Sequence, residues 1–576
     1  MHKRIFGLET EYAIFHYQTN PLNSSVLSGS EIFEMINNVM DAKGIKRIYE
    51  EKFYPDSNSA SRSIREEGRR YSIKKNRMFL SNGGRFYLDT GDHPEFATPE
   101  CIDPKEALIY DKAGERILEE LSIACEEELE KLNIGGKIYV CKNNMDTRGN
   151  TYGCHENYLV IRRRGNLNES GFFKLMIKAI IPFLVTRQVF CGAGKIFSAD
   201  TLAYQISQRA DLIDSELSSD TTFRRGIINS RDEPLCQLDK YRRLHILVGD
   251  SNMSEISSFI KIGATGIVLQ LIEEEEAYDP EIELEDPIKA LREISKDPTC
   301  SCKVKLNNGQ KVTALQIQRE YLKRAQNHFN RATISLNNIN KNILHLWEDL
   351  LSRLEKNPAN LRQEVDWIIK KCLMDKYLDR FKITPAELNR WTYIIKKIKG
   401  LRLEDALLFQ NKVDKNFDVM SFLEERLSQA DFIDLKKYCR TAELDLKDYF
   451  KSSRLYYGLL ERDIKYHDIR MDRSIFYLLQ KRGFVRRLNG KKLDEEINRA
   501  KHYPPLNTRA KIRGDFIRML YDKRLAGAAT WDTLTIYGNT TRKIPLLHPF
   551  VNQSIMLEDI LDRDTLKKSG REQSPH

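Results

Sequence analysis

The sequence predicts an α+β protein, and three observations carry that prediction. Short runs with strand alternation concentrate in the first 250 residues: GLETEYAIF at the N-terminus, GRFYLD at 84–89, KIYVC at 137–141 and the stretch 243–249. Helical patterns interrupt these runs and then dominate from about 315 to 480. Short strand-like segments return at 501–550, with Pro504-Pro505, Trp531 and KIPLLHPF. At 576 residues, 41% hydrophobic and 31% charged, the chain is long enough for a large core and more than one domain, and too apolar to be disordered.

Taken in order, residues 1–15 predict a strand. Residues 45–77 include the polar, basic SNSASRSIREEGRRYSIKKNR, have no apolar period, and predict a long loop ahead of the strand at 85–89. Asp103-Pro104-Lys105-Glu106 opens a helix: Asp103 caps it, Pro104 fits its first position, and Glu106 completes a capping box. Leu118, Leu121, Cys125, Leu129 and Leu132 then form one apolar stripe, read as core packing. Residues 137–164 predict two strands joined by a polar turn, 171–190 a buried helix, 243–249 a strand and 255–277 a helix. A second capping box, Thr384-Pro385-Ala386-Glu387, lies in the helical half, and the heavily charged segment 397–460 reads as a helical insertion. The implied organisation is a large domain over 1–484, a small C-terminal domain over 485–562 and a disordered tail over 563–576.

Charge and cysteine content narrow the function. Lys and Arg number 93 against 83 Asp and Glu, a net +10 that suits an acidic protein or a phosphate-bearing ligand without indicating nucleic acid. The ten cysteines form no CxxC pair, and Cys300 and Cys302 have no second pair nearby, so reduced thiols in a cytoplasmic protein are expected. The N-terminus lacks a signal-peptide pattern, and no run of about 18 apolar residues predicts a membrane span. Gly192-Ala193-Gly194-Lys195 is followed by Ile196 and is not a Walker A loop; neither a Rossmann fingerprint nor a GxSxG elbow stands out.

The chemistry concentrates in GRFYLDTGDHPEFATPE, residues 84–100. In a strand Arg85, Tyr87 and Asp89 share one face, and Phe86 and Leu88 share the other. His93, Glu95, Thr98 and Glu100 follow the turn at Gly91, and Glu9 and Glu11 repeat the i, i+2 carboxylate spacing. Such a face suits Mg²⁺ and a nucleotide phosphate, because Mg²⁺ takes hard oxygen ligands and arginine forks clamp phosphoryl oxygens. Further polar clusters are Tyr152–Asn157, Arg187-Gln188, Ser207-Gln208-Arg209, Arg231-Asp232-Glu233 and Tyr241–His245. Each also has an ordinary structural reading: surface ion pairs for the arginines, core positions for His155 and His245, and a small buried thiol for Cys154.

The chain resembles the Pup ligase and Pup deamidase family. The resemblance runs over most of 1–395 and 463–550 and rests on GLETEY, NGGRFYLDTGDHPEFAT, DKAGER, KNNMDTRGNTYGCHENYL, PFLVTRQVFCGAGK, INSRDEP, KYRRLHILVGDSNMSE, ALQIQREY and KYHDIRMDRSIFYLLQKRG. It implies a glutamine-synthetase-like carboxylate–amine ligase fold, with a curved antiparallel sheet cradled by helices and a small C-terminal domain. It implies Mg²⁺ at Glu9, Tyr87 and Glu95, ATP at Arg85, Thr98 and Trp531, and a catalytic aspartate at Asp89. The polar clusters add Glu11 and His155 to the metal set, and Arg209 and Arg243 to the nucleotide set.

The implied reaction is phosphorylation of the terminal glutamate side chain of Pup, or of a Pup-like small acidic modifier, by ATP. A substrate lysine then attacks to form an isopeptide bond that marks the protein for the bacterial proteasome. GLETEY, LDTGDHPE, YGCHENYL, CGAGK and GDSNMSE resemble the ligase branch; the loop at 45–77, the ATPEC to DKAGER run and KIPLLHPF resemble the deamidase branch. Ligation is the reading preferred, with deamidation and a non-catalytic adaptor as the alternatives.

Overall fold

The computed structural model describes residues 4–18, 26–50, 76–89, 91–146, 149–163, 168–196, 203–221, 224–274, 280–331, 337–381, 389–390, 541–553, and 421–537 apart from 422–423, 426, 442 and 445. Eleven strands fall in the first half: β1 (Phe6–Glu11), β2 (Ala13–Tyr17), β3 (Arg47–Tyr49), β4 (Arg77–Leu80), β5 (Arg85–Asp89), β6 (His93–Ala97), β7 (Lys137–Cys141), β8 (Cys154–Ile161), β9 (Ser215–Ser218), β10 (Gly226–Asn229) and β11 (Tyr241–Ile246). Nine of them form one sheet in the order β3-β4-β5-β6-β1-β8-β11-β10-β9. Its pairs are antiparallel except β9 with β10.

The sheet is covered on one face by helices α1 (Gly29–Val39), α2 (Pro104–Lys131), α3 (Glu169–Thr186) and α4 (Glu255–Glu273). Alternation decides which side chains meet them. Phe6, Leu8, Tyr158, Val160, Leu244 and Ile246 pack with α3 and α4 in one core. Phe86 and Phe96 pack with α1 and α2 in a second. Gly114 of α2 lies so close to Phe96 that a Cβ there would strike the ring, so this glycine sets the spacing between helix and sheet. Helix α4 is long and apolar enough to cross a membrane by composition, with mean hydropathy 1.4, but 94% of that stretch is buried in the fold. It is a core helix, and it is an apolar span that a count of consecutive apolar residues misses.

The structure corrects several sequence expectations. The single strand expected near the N-terminus is two, Phe6–Glu11 and Ala13–Tyr17, because buried Tyr12 breaks the run and its N–H donates to the Pro94 carbonyl at 2.8 Å. β2 then leaves the main sheet and pairs with β7. The strands at 137–141 and 154–161 consequently belong to different sheets and are not partners. The ends of the expected loop at 45–77 are ordered, since β3 pairs with β4; residues 51–75 lie outside the described set. Asp103 does cap α2, but the Glu106 side chain accepts from Ile102 N, one residue before the position a capping box requires. Leu132 of the apolar stripe is exposed, whereas the other four are buried. The expected helix at 171–190 is α3 followed by a separate turn, Gln188–Cys191.

The helical half contains Ala314–Arg331, Asn338–Lys356, Asp366–Asp379, Gln429–Thr441, Leu446–Tyr466 and Ile475–Lys481. The capping box at 384–387, most of 391–426 and the tail lie outside the described residues. Leu493, Ile497 and Ala500 of helix Gly490–Ala500 pack into the main core. Farther on, helix Arg509–Lys523 and a sheet of β14 (Ala526–Ala529), β15 (Thr533–Tyr537) and β16 (Arg542–Pro545) enclose a smaller core with Ile48 and Phe79 of the sheet edge. (The hairpin β12, Lys303–Lys305, with β13, Lys311–Thr313, stands apart.)

Glu100 ties this C-terminal unit to the sheet. Its carboxylate accepts from Arg509 Nε at 2.7 Å and from Arg513 Nη2 at 2.7 Å, and its carbonyl accepts from Thr508 Oγ1 at 2.8 Å. Burial works to raise its pKa, but the two guanidinium charges outweigh burial and hold it below the usual carboxylate range. Glu100→Gln leaves two buried cations without their anion and is expected to cost about 3–5 kcal/mol in urea unfolding. A depressed pKa stabilises the folded state above the unfolded carboxylate value and loses that contribution as pH falls. The deficit of the variant should therefore shrink below about pH 4.5. A deficit independent of pH would show that the ion pairs do not hold this junction.

Candidate active site

The open face of the main sheet is polar because its register leaves no alternative. Tyr87 of β5 stands opposite Glu95 of β6, and Glu95 opposite Glu11 of β1. Glu9 of β1 stands opposite His155 of β8, and Asn157 opposite His245 of β11. The alternate residues of β8 point into the core. Buried Glu156 accepts from Arg187 Nη1 at 2.9 Å and from Tyr158 OH at 2.6 Å. Glu156 and Arg187, both in sequence clusters that suggested chemistry, thus satisfy one another under the sheet. Gln188 donates to the Val185 and Leu291 carbonyls and is structural as well.

Two groups of ligand atoms gather on the open face, each within 4.8 Å of one another: Glu11 with Asp89 and Glu95, and Glu9 with His155 and His245. The first is all oxygen, the donor set Mg²⁺ prefers; the second adds two imidazoles, which suit a broader range of divalent ions. The residues expected to share one metal set therefore divide between two positions, with Tyr87 hydrogen-bonded to Glu95. His93 Nδ1 lies 2.9 Å from Glu11 Oε2 and its ring packs on Tyr152 at 4.4 Å. Asn157 Nδ2 donates to Glu9 Oε1 at 3.1 Å, and His155 Nδ1 lies 3.4 Å from Glu9 Oε2. Gly153 is required here: a Cβ would come 2.5 Å from Glu11 Oε1 and 2.7 Å from His155 Nε2.

The electrostatics match a site built for a cation. Burial, with the charges of Glu9, Glu11 and Asp89, pushes the Glu95 carboxyl far above its usual range. Burial also works to raise Glu9, but the His155 hydrogen bond and the Arg243 charge outweigh it and hold Glu9 below the usual carboxylate range. His245 is pushed down to about 3, chiefly by burial, so its imidazole is neutral near pH 7. Both its nitrogens are buried without a hydrogen-bond partner among the described residues, as expected of a ring that offers a lone pair to a metal.

Two cavities lie at opposite ends of β1. One, of about 110 Å³, is lined by Glu9, Thr98, Asn157, Arg243 and Trp531 among others. The other, of about 770 Å³, is lined by Glu11, Asp89, His93, His155, Arg209 and Arg225 among others. Three residues expected at the nucleotide (Thr98, Arg243 and Trp531) therefore share the first cavity, although Trp531 comes from the C-terminal unit. Arg513 stations it, donating to its carbonyl at 3.1 Å and lying over its ring at 4.8 Å, while Phe79 meets it edge-on at 5.1 Å. Thr98 Oγ1 accepts from Leu8 N at 3.0 Å, which leaves its hydroxyl proton free to donate.

Two expected nucleotide residues lie elsewhere. Arg209 lines the second cavity, beside Asp89. Arg85 lines neither: its Nη2 donates to Glu50 at 2.7 Å and its guanidinium stacks on Tyr87 at 4.0 Å, so Glu50 neutralises it at the sheet edge. Sequence reasoning left His245 as a core histidine and missed Arg225. His245 follows Arg243 at i, i+2 in a strand, the same signal that singled out Glu9 and Glu11. Arg225 sits in TTFRRGIIN, where no spacing distinguishes it from Arg224.

A family model described as "Pup-ligase protein" matches residues 4–394 and 436–535. The chain is 38% identical over 491 residues to a Pup–protein ligase of Nocardioides sp., covering 85% of this chain and 90% of that protein. It is 35% identical over 567 residues to a Pup–protein ligase of Saccharomonospora viridis, covering 98% and 100%. Among solved structures, the complex between the prokaryotic ubiquitin-like protein Pup and its ligase PafA superposes with a TM-score of 0.71 at 28% identity, over 98% of this chain and 91% of that one. PafA in complex with ADP gives 0.65 at 30%, over 88% and 95%.

The raised pKa of Glu95 makes a prediction about metal binding. Without a cation, burial and the neighbouring carboxylates favour the protonated form of Glu95; binding requires the carboxylate, so a proton held there leaves. Calorimetry of Mn²⁺ or Mg²⁺ binding in buffers of different ionisation enthalpy should show proton release near pH 7, with affinity rising with pH. Glu95→Gln should abolish the release. Binding without proton release would place the ion elsewhere.

Proposed function

The chain belongs to the Pup-ligase family, and from that premise we propose that its open sheet face joins the terminal glutamate side chain of Pup, or a Pup-like acidic modifier, to substrate lysines at the expense of ATP. The carrying observation is the carboxylate face itself: Glu11, Asp89 and Glu95 gathered beside Glu9, His155 and His245, between the Trp531 cavity and a larger open one. The relatives matched over most of their length are ligases, which supports ligation as the direction.

Each group has a part in this reading. Trp531 and Thr98 form the walls against which ATP is held, and Arg243 beside Glu9 faces its phosphates. Glu9, Tyr87, Glu95, Glu11 and His155 are the metal side chains, with His245 added by the geometry. Mg²⁺, when bound there, neutralises phosphate charge and the repulsion among the carboxylates. Arg209, in the larger cavity, faces the modifier rather than the nucleotide, and Arg85 steadies Tyr87 from behind. A free lysine, pKa about 10.4, arrives protonated. Asp89, in the larger cavity, accepts that proton or orients the amine, and attack on the acyl phosphate then releases phosphate. All ten cysteines are free, in keeping with a cytoplasmic setting, and delivery of conjugates to the bacterial proteasome is the purpose we assign to the reaction.

The test is incubation with Pup ending in glutamate, ATP, Mg²⁺ and a lysine-bearing protein, read by mass spectrometry. An isopeptide-linked conjugate is expected. Conversion of a terminal glutamine to glutamate, or release of Pup from conjugates, without new conjugation would mark a deamidase; no modifier-dependent ATP turnover would mark an adaptor. Asp89→Asn should lower conjugation by about 10²–10⁴-fold while leaving ATP binding within about twofold. Undiminished conjugation by that variant would sink the assignment of Asp89.

A further inference from the structure

The larger cavity contains two cations that the ligase reading does not fully employ. Arg209 is buried; its Nη1 donates to the Tyr152 carbonyl at 2.8 Å and its Nε has no hydrogen-bond partner among the described residues. Arg225 is half-buried; its Nε donates to the Thr221 carbonyl at 3.0 Å and its Nη2 to Thr151 Oγ1 at 2.7 Å. Every partner named is neutral. Among the described residues neither guanidinium is within salt-bridge distance of a carboxylate, although Glu11, Asp89 and Glu95 lie close by. Glu11 and Asp250 act on Arg209 only at longer range, and a desolvated cation beside a second, half-buried one has an anion as its missing partner.

Both are stationed firmly. Asp250 accepts from Ser207 Oγ at 2.9 Å, Gln208 N at 2.9 Å, Arg209 N at 3.1 Å and Ala193 N at 2.8 Å, so one carboxylate fixes the loop that carries Arg209. Arg225 immediately precedes β10, and its carbonyl accepts from Asp214 N at 2.9 Å.

We infer that Arg225, with Arg209 behind it, binds the α-carboxylate of the modifier's last residue and so decides that the γ-carboxylate, not the α-carboxylate, is activated. This rests on the ligase reading and deepens it. A terminal glutamate carries two carboxylates of similar reactivity. The γ-carboxylate loses its charge on phosphorylation, whereas the α-carboxylate stays anionic from binding to release. A fixed guanidinium pair therefore holds the α-group throughout the reaction without giving up an ion pair at the chemical step. The cavity with Trp531 and Thr98 lies at the other end of β1, which sets these arginines on the modifier's side.

The test compares Pup ending in free glutamate with Pup whose terminal α-carboxyl is an amide and whose γ-carboxylate is intact. Affinity is read by fluorescence anisotropy and turnover by conjugation, on the whole chain. For the unmodified enzyme the amide should weaken binding about 10–100-fold, the value of charge-assisted hydrogen bonds. Arg225→Gln should weaken free-acid Pup by a similar factor, lose the discrimination, and leave the KM for ATP unchanged; Arg225→Lys should recover part of both. Equal binding of acid and amide by the unmodified enzyme overturns the inference, as does undiminished discrimination by Arg225→Gln. A rise in the KM for ATP with discrimination intact assigns Arg225 to the phosphates and overturns it too. Binding that discriminates without any conjugate forming leaves the α-carboxylate site standing and removes the ligase reading instead.

Discussion

The structure depends on the alignment of β5, β6, β1, β8 and β11. Cross-strand register puts Glu11 directly opposite Glu95 and brings Asp89 to the same group. Like charges placed opposite one another destabilise a sheet. This sheet tolerates them by pinning Glu11 with His93, by raising the Glu95 pKa so that its neutral form is favoured, and by committing the other face to two apolar cores. A one-residue slip of β1 would turn Glu9 and Glu11 into the helices and Leu8 and Thr10 into the cavity. The register is guarded from the buried side, where Thr10 Oγ1 donates to Asp111 at 3.1 Å and Glu156 locks onto Arg187.

That arrangement separates two kinds of polarity. On the helix side, charges are paired internally and stay with the fold: Lys142 donates to Asp111 and Glu115, each at 2.8 Å, and both acceptors are buried with it. On the open side, carboxylates are crowded next to β1, while among the described residues Arg209 and Arg225 form no ion pair. Such an imbalance is expensive for stability and makes sense where ligands complete it. The C-terminal unit serves the same end, since the Glu100 junction holds Arg513, and Arg513 holds Trp531 against the nucleotide cavity.

Much of this was legible in the chain, for definite reasons. The strand at 85–89 and the cap at Asp103 are written in local periodicity and side-chain chemistry, which act over a few residues. Glu9, Glu95 and Asp89 could be singled out because i, i+2 polar spacing in an otherwise apolar strand is uncommon, while the roles proposed for them rest on the family resemblance. What was not legible depended on pairing at a distance. Nothing near Tyr12 announces that β2 will leave the main sheet for β7. Nothing near Arg85 announces Glu50, which neutralises it, and nothing in TTFRRGIIN says which arginine will face Asp89. Burial of α4 inside two layers likewise turns a segment apolar enough for a membrane into a core helix.

The most direct measurement of the central claim follows one oxygen atom. If this face forms a γ-glutamyl phosphate, an oxygen of the modifier's terminal γ-carboxylate leaves with the phosphate when lysine attacks. Pup labelled with ¹⁸O in that carboxylate, conjugated with unlabelled ATP in unlabelled water, should yield inorganic phosphate carrying one ¹⁸O for each isopeptide bond formed. Conjugates accompanied by unlabelled phosphate would contradict the account, because the carboxylate would then have been activated by a different route.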